Sequence, residues 1–151
     1  MIKVTNLTKD DIKNKKIAAI DYGEKKVGIA STDIFHISFN PIATIDNNEK
    51  LIEKLIDILK QENINICIVG FPIRTNGIES GIHEKIKNFC DELENRCGLP
   101  CYLFDETLSS KTAKQNMIVA GIPKKKRRIK KNLDKFAAMI ILKNFIEEIE
   151  G

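Results

Sequence analysis

No apolar run in this chain approaches membrane-spanning length, and the opening segment Met1–Lys16 is polar. The first absence argues against a transmembrane helix, which needs about 20 consecutive apolar residues. The second argues against a secretory leader. Histidine is scarce, with His36 and His83 alone, and no Cys-x-x-Cys pair occurs among Cys67, Cys90, Cys97 and Cys101. A zinc site is therefore not expected, and disulfides are poorly motivated without a route to an oxidising compartment. Cys67 sits in an apolar strand-like run, and Cys90 and Cys97 fall on the apolar side of a helical repeat. The cysteines read as small buried hydrophobes in a reducing cytoplasm. Internal repeats are absent, and the only biased segment is one basic run. Ser109 and Ser110 read as helix caps with no histidine partner, which leaves little support for Ser or Cys nucleophilic catalysis.

What is present suits one soluble domain. With 151 residues, 42% apolar and 30% charged, the chain can bury a real core. The net charge of +4 is unevenly spread. Residues Lys111–Lys135 hold ten Lys or Arg and one acid, Asp134, while the remaining residues carry fifteen bases against twenty acids. A basic track on an otherwise acidic protein points to a polyanionic partner, although a solvated loop explains such a run equally well.

The apolar pattern alternates between strand and helix. Residues 1–16 read as an N-terminal extension, with one helical turn capped by Thr8, before a single domain over residues 17–151. Ile17-Ala18-Ala19-Ile20 is a short buried strand that ends at Asp21. Tyr22-Gly23-Glu24-Lys25-Lys26 is a tight reversal in which Gly23 allows a positive φ, and Val27–Ala30 is the returning strand. A third strand is expected from His36 toward Ala43, ended by Pro41. Asn48 then caps a helix through Glu62, with Leu51, Ile52, Leu55, Ile56 and Leu59 as one stripe. Ile64–Val69 is a strand closed by Gly70. Beyond the loop Phe71–Gly81, Ile82, Ile86, Phe89, Cys90, Leu93 and Cys97 mark a second amphipathic helix, stopped by Gly98-Leu99-Pro100. Cys101–Phe104 is a strand, and Ser109 caps a short helix that stops at Gly121 and Pro123. The last helix runs from about Asn132 to Ile149, with Leu133, Phe136, Ala137, Ile140, Ile141, Phe145 and Ile149 as its stripe. This order implies an α/β sheet with helices on its faces and sites at the strand ends.

Acids recur where strands end. Asp21 ends the first strand, Asp105 and Glu106 follow the last, and Asp134 lies in the first turn of the last helix, just before Ala137 and Ala138. Two small residues there let the helix approach the sheet. Each acid alone is better explained as a turn or cap residue. Together, three carboxylates from separate elements beside a basic track fit an octahedral Mg²⁺ or Mn²⁺ site for phosphodiester chemistry.

Four ordered motifs carry a resemblance. Ile20-Asp21-Tyr22-Gly23 with Val27-Gly28-Ile29-Ala30 and Asp33, Val69-Gly70-Phe71-Pro72 with Asn76-Gly77, Asp105-Glu106-Thr107-Leu108-Ser109-Ser110, and Leu133-Asp134-Lys135-Phe136-Ala137-Ala138 resemble the YqgF/RuvX family. That family comprises Holliday-junction-resolvase-like proteins and pre-16S rRNA nucleases. The similarity spans Ile17 to about Glu148. It implies a ribonuclease H-like fold, a central mixed five-stranded sheet with helices on both faces. It also implies a metal-dependent nuclease in which Asp21, Glu106 and Asp134 are the catalytic metal ligands for Mg²⁺ or Mn²⁺. Asp21, at the sheet centre, is best placed to bridge two ions, and Asp105 ranks lower because strand alternation turns it to the opposite face.

The implied partner is nucleic acid, an rRNA precursor or branched DNA, bound by a cytoplasmic monomer or homodimer. Lys124, Lys125, Lys126, Arg127, Arg128, Lys130 and Lys131 form the expected phosphate track. Thr107 stands where the family often has Arg, and Lys26, Arg74 and Lys111 are the candidate substitutes. One rival is a non-catalytic nucleic-acid-binding module using the same track. An actin-like ATPase, suggested by the Asp-x-Gly hairpin, lacks the second phosphate hairpin that such enzymes need.

Overall fold

The fold comes from a computed structural model that describes residues 7–71, 81–105 and 130–150, with side chains from residue 136 onward in the last segment. The expected loop over 71–81, apart from its two ends, and the short helix after Ser109 lie outside the described residues. Helix α1 (Lys9–Ile12) precedes β1 (Ile17–Tyr22), β2 (Lys26–Thr32) and β3 (Phe39–Asp46). Then follow α2 (Leu51–Gln61), β4 (Ile66–Phe71), α3 (Gly81–Cys97), β5 (Cys101–Asp105) and α4 (Lys130–Glu150). The five strands form one mixed sheet in the order β3-β2-β1-β4-β5, antiparallel on the β2 side of β1 and parallel on the β4 side. The expected mixed five-stranded sheet is thus observed.

Strand alternation sorts the core into two layers. Ala18, Ile20, Cys67, Val69, Cys101 and Leu103 point to the face covered by α2 and α3. Ile17, Ala19, Ile66, Ile68 and Phe104 point to the other face, where Ala138, Ile141, Leu142, Phe145 and Ile146 of α4 close the layer. Phe145 is fully buried and meets Phe104 edge-on at a centroid distance of 5.6 Å. Burial of a side chain of that size contributes about 1.5–3 kcal/mol. Helices therefore cover both faces, as expected, although the α4 stripe is wider than the periodicity suggested. Leu142 and Ile146 are buried, whereas Phe136 and Ala137 are half-exposed.

Several expectations need correction. Pro41 lies inside β3 and does not end it. The strand is an edge strand, and its register against β2 shifts by one residue between Ile29 and Ala30, so Pro41 sits beside a bulge where no ladder donor is required. Asn48 does not cap α2. Its side-chain oxygen accepts from the Lys50 backbone N–H at 2.9 Å in an Asx turn, and Lys50 occupies the cap position without a side-chain bond. Strand β4 starts at Ile66 and carries through Gly70 to Phe71. Gly23 does not take a positive φ; a Cβ there would stand 2.4 Å from the Lys26 carbonyl oxygen, so the tightness of the turn is what requires glycine.

The segment before β1 belongs to the core. Thr8 caps α1 in a reciprocal capping box with Asp11, and Ile12 is fully buried against Ile17 and α4. His36 fastens the same end. Buried and held at φ 58°, it contacts the Glu150 carboxylate through Nδ1 at 2.9 Å and the Lys15 carbonyl oxygen through Nε2 at 2.8 Å. A non-glycine residue in that region costs about 1–3 kcal/mol, a cost that these two part-buried hydrogen bonds help to offset.

Asp33 shapes the loop that carries His36. Its Oδ1 accepts from the backbone N–H of Ile37 at 2.8 Å and of Ser38 at 3.0 Å. The Ser38 N–H, with help from Ile37 and against slight burial, holds the Asp33 carboxyl below its ordinary value. A depressed carboxyl adds stability above its unfolded value of about 3.9 and loses it as pH falls through the folded value. Asp33→Asn is therefore expected to be less stable than wild type at pH 6, with the difference in urea midpoint closing toward pH 2. An equal gap at both pH values would show that the charge on Asp33 has no part in it.

Candidate functional site

The parallel strands β1, β4 and β5 end on one edge of the sheet, and Asp21 stands there on the central strand. Ile17–Ile20 are fully buried, so Asp21 is the first position on β1 where a carboxylate keeps contact with water. Its parity with Ile17 and Ala19 sets it on the α4 face. Its cross-strand partner on β2 is Gly28. On the other side Ile20 pairs with Val69, and one step further Asp21 comes level with Gly70, which pairs with Phe104. Gly28 and Gly70 share the parity of Asp21. Neither cross-strand neighbour brings a side chain onto that face, so Asp21 lies in a trough one residue wide on each side.

The sequence-derived site residues fall out unevenly. Asp105, on β5, pairs with Phe71 and shares parity with Cys101 and Leu103, whose side chains enter the α2/α3 layer. It therefore lies on the face opposite Asp21, as strand alternation required. Asp134 belongs to α4, but the described helix begins at Lys130, so Asp134 is its fifth residue and not a first-turn residue. Lys130 and Lys131 open the same helix. Lys26 sits just across the hairpin from Tyr22 and is ion-paired with Asp46 of β3, a cation already engaged, with both partners substantially exposed. Glu106, Arg74, Lys111, Lys124, Lys125, Lys126, Arg127 and Arg128 lie outside the described residues. Among the described residues no three His, Cys, Asp or Glu side chains gather as a metal site.

Gly70 is the residue that sequence reading assigned to another role. It looked like a strand terminator, but it continues β4 beside Asp21. The signal was its place between Val69 and Phe71, an apolar run unbroken by polar residues. Two further charges flank the hairpin: Lys85 of α3 lies 3.8 Å from Glu24 in the β1–β2 turn. Behind the turn, the Tyr22 ring packs on Phe89 at 4.8 Å and the Asn47 side-chain amide donates to the Gly23 carbonyl oxygen at 2.7 Å. These contacts fix the direction in which Asp21 leaves the core.

Residues 15–148 match RuvX, a family described as Holliday junction resolvase. The chain belongs to the RuvX family. Among its relatives, a protein of Orientia tsutsugamushi named "Putative pre-16S rRNA nuclease" is 36% identical over 93% of this chain and 88% of its own length. A protein of Malacoplasma penetrans with the same name is 37% identical over 88% of this chain and 94% of its own. Both names denote phosphodiester hydrolases, and RuvX is a nuclease family. Of solved structures, Thermus thermophilus RuvC in complex with a Holliday junction substrate superposes with a TM-score of 0.59 at 11% identity, over 89% of this chain and 98% of that one. The fowlpox virus resolvase in complex with junction DNA gives 0.58 at 14% identity, over 90% and 99%. At such identities the likeness shows the fold alone, and it is the ribonuclease H-like fold of these RuvC-type proteins.

A side chain in place of Gly70 would stand over the Asp21 trough on the RuvX sheet. Valine suits a strand backbone, so Gly70→Val should retain the far-UV circular dichroism of wild type. It is expected to lose the heat of Mn²⁺ binding in calorimetry. Undiminished Mn²⁺ binding would show that the trough is not where a cation sits.

Proposed function

We propose that this chain is a divalent-metal-dependent nuclease of the cytoplasm that hydrolyses phosphodiester bonds in structured RNA, with precursor small-subunit rRNA as substrate. The observation that carries this reading is the half-exposed Asp21 on the central strand, flanked on its own face by Gly28 and Gly70, in a member of a nuclease family. A hard carboxylate oxygen at the end of the central strand fits a hard cation such as Mg²⁺ or Mn²⁺. The names borne by the relatives favour rRNA as the substrate class.

Asp21, Glu106 and Asp134 would hold the cation. Two observations bear on their convergence. Glu106 directly follows Asp105 in the sequence, and Asp105 faces away from Asp21. Helix α4 ends at Glu150 beside His36 and Lys15, at the start of β1, so it runs back toward the carboxyl edge. Position 134 is then about 24 Å up the helix from Glu150 at 1.5 Å per residue, and Asp21 about 20 Å up the strand from Lys15. When bound, the cation supplies an activated water and stabilises the departing oxygen. The chain's own residues do the rest. Asp21 would fix the cation at the sheet centre, and the track Lys124–Lys131 would hold flanking phosphates, its lysines as point charges and Arg127 and Arg128 as two-pronged donors.

The test compares a labelled precursor rRNA fragment with a four-way DNA junction, each with Mn²⁺, Mg²⁺ or EDTA. Wild type is expected to cleave the rRNA fragment in a metal-dependent way. Asp21→Asn should lower cleavage by more than about 100-fold, beyond what loss of an outer-shell contact costs, while nucleic-acid binding persists. Cleavage of the junction alone would move the substrate to branched DNA. Binding without cleavage under every metal would leave a binding module.

Changing Lys124–Arg128 to alanine addresses the track by itself. Each phosphate contact contributes about 0.7–0.9 to the logarithmic salt slope, so the slope should shallow by up to about 4. An unchanged slope would remove the track from the interface.

A further inference from the structure

Three of the four cysteines meet at the amino-terminal end of the parallel strands, away from Asp21. Cys67 near the start of β4 and Cys101 at the start of β5 are direct neighbours in the parallel pairing, and Cys97 ends α3. Gly98, at φ +76°, folds the chain back so that the Leu99 backbone N–H donates to the Cys97 sulfur at 3.3 Å. The Cys67 side chain, level with Cys101, lies within interaction range of the same sulfur. The Cys101 thiol lies within reach of it and of the Leu99 carbonyl oxygen, at 3.5 Å from the latter. All four cysteines are free. Cys67 and Cys101 are buried, but Cys97 is half-buried, which corrects the expectation that every thiol is an inert core residue. Cys97 opens onto a cavity of about 360 Å³ shared with Leu59, Lys60, Ile64, Asn65 and Leu99.

Donors converging on one sulfur favour its anion. The carbonyl end of α3 and partial burial oppose it, and Glu94 on the same helix has its carboxylate tied to the Cys101 backbone N–H at 2.9 Å. Lys60, from α2, is the cation at the cavity. The balance brings Cys97 down to about 6, first through the Cys67 thiol and then through the Leu99 N–H, with burial opposing. The Cys67 thiol is pushed well above its ordinary value by its contacts with Cys101 and Cys97 and by burial, so it stays protonated.

We propose that Cys97 is an oxidative modification site, a nucleophilic thiolate that reduces hydroperoxides and then closes a disulfide with Cys67. In the first step the Cys97 sulfur attacks the terminal peroxide oxygen. An S–O bond forms, the O–O bond breaks, and the alcohol or water leaves after taking a proton. In the second, the Cys67 sulfur attacks the Cys97 sulfenic acid; the S–S bond forms, and hydroxide departs as water with the Cys67 proton. Two thiols lose two electrons and one peroxide gains them. The cavity admits the oxidant, and the clustering of Cys67 with Cys97 keeps the second step local. The product ties the end of α3 to β4. Cys67 is level with Ala18, on the face opposite Asp21, so none of this depends on the nuclease reading.

The experiment uses the full chain. Iodoacetamide labelling of Cys97, followed by mass spectrometry across pH 5–9, is expected to reach half its maximal rate near pH 6, whereas an ordinary cysteine does so near about 8.5. Cys67→Ala should shift that midpoint upward, and Cys67→Ser, which keeps a donor, should leave it low. After hydrogen peroxide, tryptic peptides 61–74 and 97–111 should appear cross-linked. Both Cys97 and Cys101 lie in the second peptide, so the same cross-link in Cys101→Ser assigns it to Cys97. In Cys67→Ser the cross-link should give way to a dimedone adduct on Cys97. A wild-type midpoint above pH 8, or peroxide treatment that leaves Cys97 and Cys67 unlinked in Cys101→Ser, would overturn the proposal.

Discussion

Strand β1 is paired on both edges and covered on both faces, and the rest of the molecule is arranged around that constraint. A fully enclosed strand cannot hold an ionised side chain along its length, because burying a lone charge costs far more than any single contact returns. Ile17, Ala18, Ala19 and Ile20 accept the enclosure, and Asp21 is where it lifts. An ionised side chain can therefore sit only at the strand's end, where Gly28 and Gly70 flank Asp21 on its own face. Tyr22 on Phe89 and the turn closed by Gly23 hold the exit direction.

Much of this was legible from local pattern. The stripe of α2 and the spacing of α3 survive almost residue for residue, because helical periodicity needs only its own segment. The capping box at Thr8 is equally local. What sequence misassigned depends on partners far along the chain. Pro41 looked terminal because its tolerance comes from an edge position and a bulge, both properties of the assembled sheet. Gly70 looked like a stop because its role appears only when β4 is set in register with β1. Nor does anything local show that Ile12 reaches the α4 layer. Cys97 sat on an apolar stripe, and its half-exposure comes from the chain reversal at Gly98. Within the candidate site, Asp21 was marked by the end of an apolar run. The partnership proposed for it with Glu106 and Asp134 drew on acids recurring at strand ends beside a basic track and on the family resemblance.

The two ends of the sheet have different work. At the carboxyl edge Asp21 near the end of β1 and Asp105 at the end of β5 stand on opposite faces of the sheet. At the amino edge His36, Lys15, Glu150, the Asn65 amide and three thiols bind one segment to the next.

The division of the core into two layers also orders events while the chain is being made. Helix α4 is synthesised after every strand it covers. As β1 through β5 emerge, α2 and α3 emerge among them and can cover their own face at once. The opposite face, with Ile17, Ala19, Ile68 and Phe104, has only Ile12 of the short helix α1 against it until α4 arrives. A half-made molecule is thus a sheet well lined on one side only, with an adhesive surface whose main cover among the described helices is the last of them to leave the ribosome.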